Sequence, residues 1–197
     1  MFYPAILAIA AGMSSGSGMD RLKFATLGPE GSNHHLVLNA YLARENLVAD
    51  MHLCDDFDAV LEACMRGAAN RIFICTAHDR CGHVVGAAQY RLGLKITDVF
   101  ISESQPLAIL HRTDRPTSIA LHPATRGYTD LSAYRDVIEV ASTVAAADGL
   151  RTGAWDAALT AARFAEDGLT VVKTLPPPRD AWLVLGGADR AAIWALD

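Results

Sequence analysis

The chain has 197 residues, 51% hydrophobic and 20% charged, with a formal net charge of −5. That composition excludes a disordered chain, and its acidic balance leaves no electrostatic footprint for a nucleic-acid backbone. The length suits one domain or two small lobes sharing a cleft.

The longest apolar run, residues 2–11, is too short to span a bilayer, and no Lys or Arg precedes Arg21 to form a secretory n-region. Residues 1–18 read as a leader or extension, with the folded protein starting near Met19 and the cytoplasm as the expected compartment. The four cysteines, Cys54, Cys64, Cys75 and Cys81, are too few for a disulfide framework.

The apolar run 23–27 ends at Gly28-Pro29 and predicts a buried strand entering a turn. After Ser32, the spacing of Leu36, Leu38, Tyr41 and Leu42 predicts a helix. A short strand follows at 51–53. Asp55 or Asp56 then caps a helix whose face is Phe57, Val60, Leu61 and Cys64. Residues 71–75 read as a buried strand, 76–82 as a polar turn, 83–93 as a helix and 94–103 as extended. Strands are predicted at 107–111 and 118–121, the latter running into His122-Pro123. Residues 137–140 precede an alanine-rich helix capped by Ser142 or Thr143. A strand at 157–160, a helix at 161–166 and a strand at 170–173 follow, and prolines 176–178 break the pattern before a last strand at 181–185. This alternation predicts an α/β protein with mainly parallel sheets.

Two helix starts carry polar chemistry. Thr26-Leu-Gly-Pro-Glu-Gly31-Ser32 puts free backbone N–H groups and a hydroxyl at one of them, and Ser142-Thr143 does so at the other. Ordinary caps use the same residues; two such ends on one cleft would suit a dicarboxylate or keto acid. Cys75, His78, Cys81 and His83 fall within nine positions, but their spacing matches no standard zinc pattern, and Cys75 reads as core. His78, Asp79 and Arg80 follow a strand's C-terminal end, where open α/β sheets place ligands. His34 and His35 adjoin the first turn as a proton donor or carboxylate partner, or as one packed and one solvated ring. His122 ends a strand. No GxGxxG, Walker loop or nucleophile elbow occurs. Trp155, Trp182 and Trp194 read as packing residues.

These residues resemble a known family. Thr26 to Ser32 is similar to the N-terminal motif of prephenate dehydratase domains, and Ser142-Thr-Val-Ala-Ala-Ala147 to their Ser-Thr substrate-binding helix start. Ala157-Ala-Leu-Thr160, Gly168-Leu-Thr-Val171 and Trp182-Leu-Val-Leu-Gly186 continue the match in order, over about residues 22–187. The resemblance implies a two-lobed fold like that of type II periplasmic binding proteins, with a ligand cleft between the lobes. Residues 19–104 with 175–197 would form one lobe and 105–174 the other.

The departures from the family bear on the reaction. The dehydratases carry Thr-Arg-Phe before the terminal Leu-Val-Leu-Gly segment, and its threonine assists departure of the ring hydroxyl. This chain reads Asp180-Ala181-Trp182, and a carboxylate does not replace a hydroxyl donor. The sequence looks closer to the bacilysin-type prephenate decarboxylases, which lack that motif and release carbon dioxide without expelling the hydroxyl. Leu53-Cys-Asp-Asp-Phe57, the loop around His78, Leu121-His-Pro123 and Gly168 to Thr174 carry this likeness.

The resemblance implies a lyase of specialised-metabolite (antibiotic) biosynthesis with no metal and no organic cofactor. Gly31, Ser32, His122, Ser142 and Thr143 would hold substrate, Arg80 or Arg179 would clamp a carboxylate, and His34, His35 or His78 would supply the proton, with Asp180 at the reacting centre. The expected partner is a small anionic molecule, with neither nucleic acid nor membrane, and a homodimer stays open. A dehydratase, an enzyme of a tropone-type antibiotic pathway and a non-catalytic anion-binding module are the alternatives.

Overall fold

The computed structural model describes residues 21–166 and 168–187. The apolar run 2–11, the Gly/Ser stretch, Met19 and Trp194 lie outside the described residues. The elements are β1 (Leu22–Leu27), α1 (Asn33–Arg44), β2 (Ala49–Cys54), α2 (Phe57–Met65), β3 (Arg71–Cys75), α3 (Cys81–Arg91) and β4 (Lys95–Glu103). There follow β5 (Leu107–His111), β6 (Ser118–Leu121), β7 (Asp136–Glu139), α4 (Thr143–Thr152), β8 (Ala157–Ala161), β9 (Thr170–Leu175) and β10 (Arg179–Gly186).

These strands form two five-stranded sheets, ordered β2-β1-β3-β10-β4 and β7-β6-β8-β5-β9. The two orders are the same pattern used twice, with one strand of each sheet reached by the chain as it crosses between lobes. Residues 104–106 and 176–178 are the two crossings, and Ser104 N–H donates to Pro178 O at 2.9 Å to tie them together.

The sheets are mixed and not mainly parallel. β10 runs antiparallel to β3 and β4, and β5 antiparallel to β8 and β9, whereas β1–β2, β1–β3, β6–β7 and β6–β8 are parallel. A fully buried apolar run such as Trp182 to Leu185 reads the same in either direction, so composition carries no signal for strand polarity. The helix expected over 161–166 is also corrected. β8 extends to Ala161, and only a 3₁₀ turn, Ala162–Phe164, follows. Six residues without a capping side chain are too few to sustain an α-helix.

Burial explains the rest. In the first lobe α1 packs Val37, Leu38, Tyr41 and Leu42 against Phe24, Phe73 and Trp182, while α2 and α3 cover the opposite face through Phe57, Val60, Leu61, Val84 and Ala88. In the second lobe α4 buries Ala146 and Leu150 against Ala108, Leu110 and Ala120. Asp56 caps α2 by accepting from Ala59 N–H at 2.8 Å, and Ser142 caps α4 by accepting from Ala145 N–H at 3.0 Å. The Trp155 indole anchors to Ala146 O at 2.8 Å and fills the space over Gly149, where a larger residue would overlap its ring. No helix among the described residues is long and apolar enough to cross a membrane.

Candidate functional site

A cavity of about 100 Å³ opens between the lobes. The start of α1, the loop after β3, both crossings, the loop after β6 and the start of α4 wall it. One helix N-terminus therefore reaches it from each lobe. The first-turn N–H groups of a helix have no partner within the helix, and they carry the positive end of its dipole. The walls supply these donors at Asn33 and His34 on one side and at Thr143 on the other.

The two serines there are structural first. Ser32 Oγ donates to Leu27 O at 3.1 Å and accepts from His35 N–H at 3.3 Å, which commits its proton and a lone pair to the cap. Ser142 Oγ serves as the α4 cap. The caps consume the N–H groups of His35 and Ala145, and the first-turn N–H groups of Asn33, His34 and Thr143, residues of the cavity wall, have no partner within their helices. Gly31 lies just outside the lining; it takes φ +78°, and its carbonyl accepts from the Arg163 guanidinium at 2.7 Å.

Three imidazoles cross the cleft in a row. The His34 and His78 ring centroids are 6.1 Å apart, and those of His78 and His122 are 5.6 Å apart. His34 is packed against Trp182 and Phe57, and its Nε2 accepts from Cys75 N–H at 3.4 Å, so the neutral ring carries its proton on Nδ1. Burial, reinforced by His78 and His122, pulls its pKa down to about 3. Burial also lowers His78 and His122, though less completely, with nearby Asp79 opposing the shift in both. His122 Nδ1 accepts from Ala124 N–H at 3.2 Å, leaving the proton on Nε2. His78 Nδ1 accepts from Arg80 N–H at 3.2 Å, so the neutral ring carries its proton on Nε2, and Asp79 Oδ1 lies 2.9 Å from the same Nδ1.

Asp180 enters the cavity wall at the start of β10 and accepts from Ser104 Oγ at 2.5 Å. Ser104 in turn accepts from Asn33 Nδ2 at 2.8 Å. Tyr128 completes this side as a phenol whose pKa is pushed up by burial and by the Asp180 charge. Cys75 also lines the cavity; burial pushes its thiol up to about 12, which keeps it protonated and inert.

The site thus brings together Ser32, His34, His78, His122, Ser142, Thr143 and Asp180. His35 is outside it. Its Nδ1 accepts from Gly31 N–H at 2.9 Å and its Nε2 lies 3.0 Å from Asn39 Nδ2, so both ring nitrogens are engaged. Arg80 pairs with Asp58 at 2.7 Å over a neighbouring recess, and Arg179 is exposed at the first residue of β10. Neither guanidinium lines the cavity, and no lysine or arginine does so among the described residues. No group of three or more His, Cys, Asp or Glu able to hold a metal ion occurs among the described residues.

Sequence reasoning missed Asn33, Ser104, Gln105 and Tyr128. Asn33 stood one residue past a recognised cap and was open to notice. The crossing residues and Tyr128 carry no local motif and reach the site only through the lobe topology.

The sequence matches no protein-family model and no curated protein. Its fold is similar to that of solved structures. The prephenate dehydratase from Arthrobacter aurescens, in complex with L-Phe, superposes with a TM-score of 0.61 at 17% identity, over 84% of this chain and 60% of that one. The prephenate dehydratase from Staphylococcus aureus subsp. aureus Mu50 gives 0.57 at 16% identity, over 84% and 66%. GqqA, described as a novel type of quorum quenching acylase, gives 0.55 at 19% identity, over 84% and 64%. The chain spans less than two thirds of each of these proteins. Identities this low speak to architecture alone: the chain has the two-lobed α/β fold, built on two mixed sheets, that the prephenate dehydratase structures share.

Proposed function

We propose that this protein is a lyase that decarboxylates prephenate, or a closely related cyclic keto acid, and leaves the ring hydroxyl in place. One observation carries the reading: two helix N-termini from opposite lobes converge on a cavity whose remaining walls hold Leu27, Leu107, Pro178, one carboxylate and no lysine or arginine among the described residues. The helix ends offer N–H donors to a keto acid side chain. A scissile carboxylate in the cation-free remainder gains nothing from a counter-charge. Its conversion to neutral carbon dioxide is favoured there, because the ground-state charge is poorly solvated.

In that step the bond between ring carbon and carboxylate breaks and its electron pair enters the ring diene. A proton then adds to a ring carbon, and the hydroxyl keeps both its oxygen and its hydrogen. The electron sink belongs to the substrate. His78, with Asp79 behind it and His122 facing it, is the proton source this geometry favours. The fold likeness to prephenate dehydratases supports the substrate class, and a hydroxyl-bearing product would suit an entry step to a specialised metabolite.

The helix contact is testable without turnover by using phenylpyruvate, which keeps the keto acid side chain and has no ring carboxylate to lose. Thr143 is the first residue of α4, where proline is tolerated, so Thr143→Pro deletes one donor while keeping the helix. Calorimetry with phenylpyruvate should show affinity weakened by about tenfold, the order expected for one charge-assisted hydrogen bond. Equal affinity in variant and wild type would remove the α4 end from the binding site.

A further inference from the structure

Asp180, Ser104 and Asn33 come from three separate places in the chain: the start of β10, the first crossing and the start of α1. Hydrogen bonds link them in one direction. Asn33 Nδ2 donates to Ser104 Oγ at 2.8 Å, and Ser104 Oγ donates its only proton to Asp180 Oδ2 at 2.5 Å. The amide orientation is itself set, because Asn33 Oδ1 accepts from Gln105 N–H at 3.3 Å. Ser104 is held from behind by its own N–H on Pro178 O at 2.9 Å. Every donor in this chain points towards the carboxylate. Asp180 is therefore fixed as an acceptor, with Oδ1 left without a hydrogen-bond partner among the described residues.

Resting on the lyase reading above, we propose that Asn33 and Ser104 are positioning residues that hold Asp180 Oδ1 as the acceptor for the substrate's ring hydroxyl, and that this decides the product. Loss of the carboxylate releases an electron pair that has two destinations. It can expel the ring oxygen, which leaves as water only if that oxygen gains a proton, and the ring becomes aromatic. Alternatively, it stays in the diene until a ring carbon is protonated, and the hydroxyl remains. A hydroxyl that donates to Asp180 receives no proton from that side, so the second course prevails. The relay fixes the carboxylate against rotation, and the geometry that withholds the proton persists through the step.

The test compares wild type with Ser104→Ala, Asn33→Ala and the conservative Ser104→Thr, each confirmed folded by its melting transition. Each is given prephenate, and the ratio of phenylpyruvate to hydroxyl-bearing product is measured by NMR alongside kcat and KM. In Ser104→Ala and Asn33→Ala the phenylpyruvate fraction should rise about fivefold or more as kcat falls about tenfold, and Ser104→Thr should restore both. A purely structural role would lower the amount of active protein without moving the ratio. Hydroxyl-bearing product from wild type with an unchanged ratio in both alanine variants would overturn the relay alone. Phenylpyruvate as the main wild-type product, or no carbon dioxide release, would overturn the reading the relay rests on, and the relay with it.

Discussion

Replacing Asp180 by threonine together with Ala181 by arginine should turn the protein towards phenylpyruvate. The wild-type carboxylate accepts from Ser104 and has no proton to give. A threonine hydroxyl at the same point can take the Ser104 hydrogen bond and donate its own proton to the substrate's leaving oxygen. Arginine at position 181 completes the Thr-Arg pair that the dehydratase motif carries at this point. The hydroxyl-bearing product should fall by about 100-fold, the size of effect seen when one oriented donor or acceptor at a reacting oxygen is changed. Phenylpyruvate, followed by its ultraviolet absorbance in base, should become the main product. If the double variant still yields the hydroxyl-bearing product at wild-type proportions, Asp180 does not govern the fate of that oxygen.

The second large effect concerns stability in acid. His34 is buried and titrates at about 3 in the folded chain, whereas an unfolded histidine titrates near 6.5. Below the unfolded value the unfolded chain binds a proton that the folded one refuses, so stability is lost as the pH falls from 6.5 towards 3. The loss approaches about 1.4 kcal/mol per pH unit and totals roughly 5 kcal/mol across the window. Lowered His78 and His122 add to it with the same sign. Carboxylates such as Asp156, held down by its hydrogen bonds from Thr117 and Ser118, add their own loss at lower pH. The clean comparison is therefore above the carboxylate range. Between neutrality and about pH 4.5, urea unfolding should show wild type losing about 2 kcal/mol more than His34→Gln, which cannot titrate. Parallel pH profiles would mean that His34 is solvated and charges freely.

The sequence carried the local structure well where each segment met its environment through its own pattern. The runs at β1, β3, β5 and β6 are buried almost throughout, and the cap residues Ser32, Asp56 and Ser142 start helices whose backbone donors they satisfy. Strand direction was not legible, because β10 and β5 enter sheets built by other parts of the chain and an apolar run has no polarity.

The site shows the same division. The choice between His34 and His35 was open to a closer reading: His34, Leu38, Tyr41 and Leu42 recur at helical spacing and share the buried face of α1, which leaves His35 outside. Arg80 and Arg179 looked suitable by charge and loop position. Their placement depends on Asp58 and on the exposed start of β10, which lie beyond the reach of local spacing. Ser104 matters because residues 104–106 and 176–178 are brought together, a contact 74 residues apart in sequence.

Removal of carbon dioxide from a cyclic dicarboxylate with its hydroxyl spared is the proposed reaction of this cavity. The most direct measurement is to incubate the purified protein with prephenate, at a pH where spontaneous aromatisation is slow, and to follow released carbon dioxide and product by NMR against a control without protein. Carbon dioxide should appear in equal amount to a non-aromatic, hydroxyl-bearing keto acid. Phenylpyruvate as the main product, or no turnover beyond the control, would contradict it.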